Sequence, residues 1–311
     1  MSVRPNAASG EQSAKNCTGG LFSIAPLRGS SRTDIGLMRA SLTLVATPIG
    51  NLGDMTPRGL EALKAADLVL CEDTRQTAKL LTLHGLKAPL RRCDEHQEEA
   101  LIAEVLDRLG QGQNLALVSD AGTPLISDPG YRIVRAVREA GFKVTATPGP
   151  AAPILALILS GLPSDRFLFG GFLPTKSKAR REVFAEFKDL RVTLIFFENP
   201  KRLSATLEDA ATVFGPDRAA ATARELTKKF EEVQSGTIEN LTTHYEATPT
   251  PKGEMVLLFG PASDEDLSED MDALLKTALE TQSVSNAAKD VARLTGRPKS
   301  EVYARALELK S

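Results

Sequence analysis

The sequence has few of the residues that build disulfide scaffolds, metal centres or aromatic surfaces. It contains no tryptophan, and only 5% of its residues are aromatic. Its three cysteines, Cys17, Cys71 and Cys93, form no C-x-x-C pair, which argues against a disulfide framework or a structural zinc site and fits a reducing cytosol. The three histidines are scattered singly. We therefore expect no metal site and a cytoplasmic protein.

The sequence also lacks strong net charge and long apolar runs. The formal net charge is -2 over 311 residues, so any basic surface for nucleic acid must be local. The longest apolar candidate, PILALILSGL from Pro153, is too short to span a bilayer and predicts a buried helix. With 42% hydrophobic and 25% charged residues, the composition is that of a globular protein.

Short apolar runs alternate with helical patterns from Ser41 onwards, which predicts an α/β fold with a mainly parallel sheet covered on both faces. Thr56 before Pro57 predicts a helix start, and Leu101, Val105 and Leu109 fall on one helical face. The alternation of strand and helix patterns begins again near residue 167, after a GLPSDR linker. We expect a disordered extension (1–40), two α/β domains (41–162 and 163–261) and a helical tail (262–311), which comprises an acidic spacer from residue 263 and two short helices around Gly296-Arg297-Pro298.

The first strand-to-helix turn, in LVATPIGNLGDMTPRG (residues 44–59), has the outline of a phosphate-binding loop. However, it lacks the lysine of a Walker loop and the third glycine of a dinucleotide fingerprint. Asp54 also places an anion near the helix start, where a phosphate would otherwise bind. The pattern favours a tight glycine turn over a phosphate site.

The turn SDAGTPLISDPG, residues 119–130, is the stronger candidate for a ligand loop. It follows a fully apolar strand and holds two Asp, two Gly and two Pro, more turn chemistry than a simple connection needs. Loops beyond the carboxyl ends of parallel strands are where α/β sheets bind ligands. A third turn, ATPGPAA from Ala146, echoes the Ala46-Thr47-Pro48 of the first. In the second half, Glu198, Glu225 and Glu254 each follow or precede an apolar run.

Basic residues cluster at helix starts in the second half, at Lys176, Lys178, Arg180, Arg181, Lys201 and Arg202. Cations at such positions oppose the helix dipole, so folding alone does not favour them. A phosphate backbone would explain them, and a solvated charged face is the alternative.

Together these motifs resemble one family. LVATPIGNLGDMTPRG, CEDTRQTAKLL, LVSDAGTPLISDPG, TPGPAA, GLPSDRF, GFLPTKSKARR, FFENPKRL, ARELTK and KGEMVL occur in this order, as in the ribosomal small-subunit methyltransferase I family, the 16S rRNA (cytidine 1402) 2′-O-methyltransferases. That family belongs to the tetrapyrrole-methylase-like, class III S-adenosylmethionine-dependent enzymes. The resemblance covers about residues 42–261, and the C-terminal helices fit the family's tail.

The resemblance implies two α/β domains with the cofactor S-adenosylmethionine in the cleft between them, a homodimer, and 16S rRNA as substrate, in an assembled small subunit. It places the cofactor at Asp120, Ala121, Gly122, Thr123, Pro124, Ser127, Pro148, Gly149, Ala151, Glu225, Leu226 and Glu254. RNA contacts are expected at Asn51, Arg75, Lys176, Lys178, Arg180, Arg181, Lys201 and Arg202.

Methyl transfer to a ribose hydroxyl needs a group that accepts its proton. The candidate carboxylates are Asp54, Asp73 and Glu198, and no motif singles out one of them. Two other functions stay open on sequence alone: a class III methylase acting on a tetrapyrrole precursor or another small molecule, and a non-catalytic RNA-binding protein with the same fold.

Overall fold

The computed structural model describes residues 40–94, 97–295 and 297–310, and the side chains of 264–270 are not part of this description. The expected N-terminal extension and Gly296 of the expected tail turn lie outside the described residues. No described helix combines the length and apolar character needed to cross a bilayer.

The first half is a parallel sheet of five strands in the order β3-β2-β4-β1-β5, as the alternating pattern predicts. The strands are β1 (Ser41–Val45), β2 (Leu68–Cys71), β3 (Leu90–Arg92), β4 (Leu115–Val118) and β5 (Lys143–Thr147). All four residues of β2 and of β4 are buried, which suits apolar strands covered on both faces.

Four helices accompany this sheet: α1 (Pro57–Ala65), α2 (Thr74–Leu83), α3 (Glu98–Gly110) and α4 (Tyr131–Glu139). The predicted helix start is confirmed, because the Thr56 hydroxyl accepts a hydrogen bond from the Gly59 N–H at 3.1 Å. The predicted stripe of α3 is confirmed, since Leu101, Val105 and Leu109 are buried. The α4 N-terminus is capped from α3, where the buried Glu98 carboxylate accepts the Ile133 N–H at 3.1 Å.

The second half is a mixed sheet in the order β6-β7-β10-β8-β9, in which β6 and β7 are parallel and the other pairs antiparallel. Its strands are β6 (Phe167–Phe172), β7 (Thr193–Glu198), β8 (Ala219–Arg224), β9 (Glu232–Thr237) and β10 (Met255–Phe259), and its helices are α6 (Ser177–Phe187), α7 (Leu203–Phe214) and α8 (Ile238–Glu246). Phe184, Phe214 and Phe259 pack at ring-centroid distances of 5.0–5.5 Å in its core.

Helix α5 (Ala152–Ser160) precedes the linker in the chain but packs on the second sheet. Ala156 and Leu157 share an apolar cluster with Ile195, Ala221 and Leu258. The prediction of a buried helix is only half right, because Ile158 on its other face is 65% exposed. The division into two domains after residue 162 stays a prediction. Helix α5 lies before this division in the sequence but packs against the sheet that follows it.

The tail contains three helices: α9 (Asp264–Leu279), α10 (Val284–Thr295) and α11 (Lys299–Lys310). They share a small apolar core that includes Leu275, Val291 and Val302. The two predicted helices are confirmed, but the expected acidic spacer is wrong, because residues 264–270 form the start of α9. Acidic residues at a helix start interact favourably with the helix dipole, so a run of acidic residues is compatible with a helix start as well as with a linker.

Candidate functional site

Three turns meet at the carboxyl edge of the parallel sheet. The backbone of Thr47, after β1, and of Gly122, after β4, exchange hydrogen bonds at 2.9 and 3.0 Å. The Thr123 hydroxyl donates to the Pro150 carbonyl of the turn after β5 at 2.8 Å. A Cβ on Gly149 would lie 2.7 Å from Ala46 Cβ, so the first and third turns touch through a glycine. These bonds hold the 119–130 loop in one fixed position.

Backbone strain is concentrated in two loops, one at this edge and one after β8 of the second sheet. The only described non-glycine residues with positive φ are Leu125 (72°), Ser127 (67°), Glu225 (51°) and Thr227 (64°). Such conformations cost about 1–3 kcal/mol each and cluster at binding sites. Both the 119–130 loop and the loop after β8 are therefore held in shapes that folding alone does not favour.

A cavity of about 700 Å³ lies between these two loops, and residues from both halves of the molecule line it. Its apolar wall includes Ile49, Ala223, Leu226 and Val256, and Phe172 and Phe197 stand at another side with ring centroids 5.1 Å apart. Its ionisable lining residues are Asp120, Asp128, Glu198, Lys201, Arg202, Lys252 and Glu254. The volume is that of a pocket for a small molecule or cofactor.

The structure brings most of the expected cofactor residues to this cavity. Eight of the twelve line it: Asp120, Ala121, Gly122, Thr123, Ser127, Ala151, Leu226 and Glu254. The other four, Pro124, Pro148, Gly149 and Glu225, do not line it. Two of these four lie directly behind the wall, since Gly149 packs on the first turn and Glu225 supports Glu254.

A small ionic network fixes the second-half wall. Lys228 donates to Glu225 and to Glu254, both at 3.0 Å, and the Glu254 N–H donates to the Glu225 carboxylate at 3.1 Å. A Cβ on Gly253 would lie 2.1 Å from Glu225 Oε1, and Gly253 has a φ of 98°. The wall at Glu254 therefore depends on a glycine and on a lysine that bridges two carboxylates.

Asp128 is the cavity carboxyl with the most altered acidity. Burial, and then the nearby Glu72 carboxylate, raise its pKa from 3.8 to about 6, although a hydrogen bond with Ser119 works in the opposite direction. Burial also raises the pKa of Glu72. A carboxyl that titrates near neutral pH is suited to accept a proton during catalysis.

The three carboxylates expected to act as base lie in different surroundings. Glu198 lines the cavity, but its carboxylate already accepts hydrogen bonds from Arg202 Nε at 2.9 Å and from the Thr206 hydroxyl at 2.6 Å. Asp73 caps α2, and its hydrogen bond with the Arg75 side chain lowers its pKa to about 2. Asp54 lines neither this cavity nor a second, smaller cavity beside it, and its Oδ2 is buried without a hydrogen-bond partner among the described residues.

The basic residues divide into exposed and buried ones. Lys201 and Arg202 line the cavity, whereas Asn51, Arg75, Lys176, Lys178 and Arg181 are exposed elsewhere. Arg180 is only 3% exposed; it donates to Asp209 at 2.8 Å and to the carbonyls of Pro174 and Ala205. This corrects the expectation for Arg180, because a buried guanidinium with these partners cannot reach an RNA phosphate.

Comparison with known proteins places this geometry in a family. A model described as tetrapyrrole (corrin/porphyrin) methylases matches residues 41–242, and one described as the RsmI C-terminal HTH domain matches residues 265–310. A ribosomal RNA small subunit methyltransferase I from Mesorhizobium japonicum is 47% identical over 88% of this chain and 93% of its own. One of the same name from Escherichia coli O157:H7 is 45% identical over 87% and 96%. The chain belongs to the ribosomal RNA small subunit methyltransferase I family.

Solved structures show the fold of this methyltransferase I family member. The methyltransferase CobJ superposes with a TM-score of 0.54 at 20% identity, covering 72% of this chain and 95% of that one. Diphthine synthase gives 0.53 at 17% identity, covering 71% and 90%. The two sheets therefore form the tetrapyrrole methylase fold, as predicted, with three further helices at the C-terminus.

Several residues that line the cavity of this methyltransferase I chain were not predicted from the sequence. Asp128, Phe172, Phe197, Lys252 and Gly253 line the cavity but were not predicted. Asp128 lies in the same SDPG turn as Ser127. Aspartate is a common turn residue, so its presence there indicated only a turn. The Gly170-Gly171 pair before Phe172 was the one available signal, because paired glycines in a strand mark an irregularity, and the register does shift there.

Proposed function

We propose that the protein transfers a methyl group from S-adenosylmethionine to the ribose 2′-hydroxyl of cytidine 1402 in 16S rRNA of the small ribosomal subunit. The observation that carries this proposal is the 700 Å³ cavity, built from the DAGTP and AREL motif regions in a chain of the methyltransferase I family. The proposed cofactor residues are the eight lining residues named above. Gly149 and Glu225 do not line the cavity. Gly149 packs against the first turn, and Glu225 holds Glu254 in the cavity wall.

The cavity residues fit this cofactor in size and chemistry. Ile49, Ala223, Leu226 and Val256 offer apolar surface for an adenine ring, and Asp120 and Glu254 offer carboxylates for hydroxyl or amino groups. A Cβ on Gly122 would lie 3.2 Å from Ile49, and its φ is 86°, so backbone occupies the place of a side chain there. Bound in this cavity, S-adenosylmethionine supplies a methyl group on a sulfonium, which is a good leaving group.

The remaining chemistry is positioning and proton removal by the chain's own residues. The fixed 119–130 loop holds one wall, and the Lys228 network holds the other, so that acceptor and donor meet in one orientation. We propose Asp128 as the group that receives the hydroxyl proton, ahead of Asp54, Asp73 and Glu198. It faces the cavity, and its pKa of about 6 gives it greater basicity than an ordinary aspartate.

The RNA-facing surface is proposed to start at the cavity mouth. Lys201 and Arg202 line the cavity, and Lys176, Lys178 and Arg181 are exposed on or beside α6. Phosphate contacts from such residues position a nucleic acid without reading its sequence. The three tail helices, which match the HTH description, add a further candidate RNA contact. We also propose a homodimer and an assembled small subunit as the substrate form.

The test is methylation of small subunits from a strain that lacks this modification. Purified protein and labelled S-adenosylmethionine are incubated with those subunits, and the 16S rRNA is mapped by mass spectrometry. One 2′-O-methyl group at cytidine 1402 is the expected product. Unchanged rRNA with bound cofactor, or methylation of a base carbon or nitrogen, would overturn the proposal. Methylation of an added tetrapyrrole precursor instead of RNA would favour the small-molecule alternative.

A further inference from the structure

A second cavity lies directly beside the first and shares Asp120 with it. Its volume is about 350 Å³, and it is lined by Thr47, Pro48, Gly50, Leu52, Gln76, Thr77, Lys79, Leu80, Leu83, Ser119 and Asp120. It is formed by the first turn on one side and α2 on the other. At the lower end of the roughly 300–1,000 Å³ range of ligand pockets, it has room for one nucleoside but not for a base pair.

Asp120 forms a fixed wall between the two cavities. Its Oδ1 accepts the Asp73 backbone N–H at 3.0 Å, and its Oδ2 accepts the Gln76 side-chain amide at 3.2 Å. Both donors come from the start of α2. The carboxylate is therefore oriented by the same helix that lines the second cavity. A group bound against this carboxylate in one cavity lies next to the other cavity.

The charged residues that line the second cavity are Lys79 and Asp120, so it is the Lys79 end that suits an anion. Lys79 lines it, is exposed, and has neither an ion-pair nor a hydrogen-bond partner among the residues that the structure describes. Arg75, one turn earlier on α2, has an 89% exposed side chain and pairs with Asp73. Helix α2 contains no acidic residue that could neutralise Lys79 from its own surface. A phosphate group supplies the missing partner.

The rim of the second cavity is apolar. Leu52 is 47% exposed and Leu83 is 55% exposed, although both are large apolar side chains. Pro48 and Leu80 extend this surface inside the cavity. A cation beside an apolar surface can hold an unpaired nucleotide, because the base covers the apolar part while the phosphate meets the cation.

We propose that the second cavity binds one unpaired pyrimidine nucleotide of the RNA acceptor, with its phosphate at Lys79, its base against Leu52 and Leu83, and its ribose beside Asp120. This inference rests on the proposed function, and it names the site for the target nucleotide. The 2′-hydroxyl then lies at the Asp120 wall, next to the cavity proposed for the methyl donor. RNA recognition of this kind uses nucleotides that have left their stack.

The decisive experiment combines Lys79→Ala with kinetics on unmethylated small subunits at several salt concentrations. We expect KM for the subunit to rise about tenfold, as for the loss of one charge contact, while kcat and cofactor affinity by calorimetry change less than about twofold. Removal of one phosphate contact reduces the slope of log KM against log salt by about one. Lys79→Arg restores both values because it keeps the charge.

Lys64→Ala is the matched control, because Lys64 is exposed on α1 and lines neither cavity. It keeps the wild-type KM and salt slope. If Lys79→Ala also keeps both, the second cavity is not the nucleotide site, even though the wild-type enzyme methylates the subunit. If the wild-type enzyme methylates no subunit, the proposed function itself fails, which is a different result.

Leu83→Glu tests the apolar rim separately. In a nucleotide site, the new carboxylate repels the RNA and raises KM at least as much as Lys79→Ala, while the oligomeric state by light scattering stays that of the wild type. A change of oligomeric state would instead show that Leu83 contacts a second copy of the chain. That outcome would overturn the nucleotide assignment.

Discussion

Gly50 of the first turn lies directly against Lys228 of the second half. A Cβ at Gly50 would stand 2.4 Å from Lys228 Cγ and 2.9 Å from Thr227 Oγ1. Lys228 in turn bridges Glu225 and Glu254 at the wall of the larger cavity. The glycine turn at residues 50–53 is thus a packing surface for the lysine that holds the opposite wall, and not a phosphate loop.

The first prediction is that Gly50→Ala weakens cofactor binding. The added methyl group displaces Lys228 and opens its bridge, and overpacking of this kind costs about 1–3 kcal/mol. Calorimetry with S-adenosylmethionine should show a Kd raised by tenfold or more. Gly110→Ala is the control, since no atom lies within 4 Å of its Cβ position. Equal Kd values for both variants would show that the Gly50 contact does not matter for the cavity.

A second prediction concerns folding stability at Arg180. Arg180→Met leaves the Asp209 carboxylate, itself buried, without its main partner. Breaking a buried ion pair on one side typically costs about 3–5 kcal/mol. Urea denaturation should show a loss of this size, while Lys178→Met, at an 86% exposed side chain, changes stability by less than about 1 kcal/mol. A stable Arg180→Met protein with impaired RNA binding would restore Arg180 as an RNA contact.

The raised pKa of Asp128 predicts a pH-dependent stability difference. The folded state holds this proton more tightly than the unfolded state, whose aspartate titrates near 3.8, so wild-type stability falls as pH rises from about 4 through about 6. Asp128→Asn removes this loss. With allowance for solvent screening we expect a gain on the order of 1 kcal/mol, or about 2–4 °C in Tm, at pH 7.5.

Thermal unfolding at pH 4 provides the internal control for that prediction. There the wild-type carboxyl is protonated in the folded state and partly protonated in the unfolded state, so the Tm difference between the two proteins should be much smaller than at pH 7.5. A Tm difference that does not change between pH 4 and pH 7.5 would mean that Asp128 affects packing rather than proton binding.

The same residue predicts a pH profile for catalysis. If Asp128 accepts the hydroxyl proton, log kcat/KM of the wild type rises with a slope of about one below pH 6 and levels off above it. Asp128→Asn should lower kcat by about 10²–10⁴-fold, the usual range for a general base, and abolish the inflection. Cofactor affinity measured separately distinguishes this from a binding defect. A normal rate in Asp128→Asn returns the role to another carboxylate.

Asp54→Ala addresses the alternative base. Because Asp54 Oδ2 is buried without a described partner, its removal should leave stability unchanged or improve it. Because Asp128 is the proposed proton acceptor and Asp54 lines neither cavity, we expect kcat and the cofactor Kd to stay close to the wild-type values. A large fall in kcat at an unchanged cofactor Kd would return the role of base to Asp54. A large loss of cofactor binding would place the first turn in the cofactor site instead.

The elements that local patterns predict are those whose signals lie within one helix or strand. Thr56 and Pro57 mark a helix start, and Leu101, Val105 and Leu109 repeat at helical spacing, so α1 and α3 follow from the sequence. Helices α2, α8 and α9 and strand β3 were not predicted. Strand β3 is only three residues long, and it depends on pairing with β2, which no local pattern encodes.

The candidate site could likewise be predicted only where a local pattern marks it. The loops at strand ends could be identified because turn residues and parallel strands together point to one edge of the sheet. Charge alone could not show which basic residue of KSKARR turns inward, because Arg180 carries the same charge as its neighbours. In the structure it lies four residues before Phe184, and both are buried. Asp128 became distinct only when folding buried its carboxyl and brought Glu72 near it from the end of β2.

The position of α5 has a mechanical consequence. Because α5 packs on the second sheet while β5 belongs to the first, the chain passes from one sheet to the other at residues 148–151. Ala151 lines the cavity, and Pro150 accepts the Thr123 hydroxyl. Any rotation of one sheet against the other therefore moves backbone at the binding wall, and a ligand seated there contacts the segment that joins the two sheets.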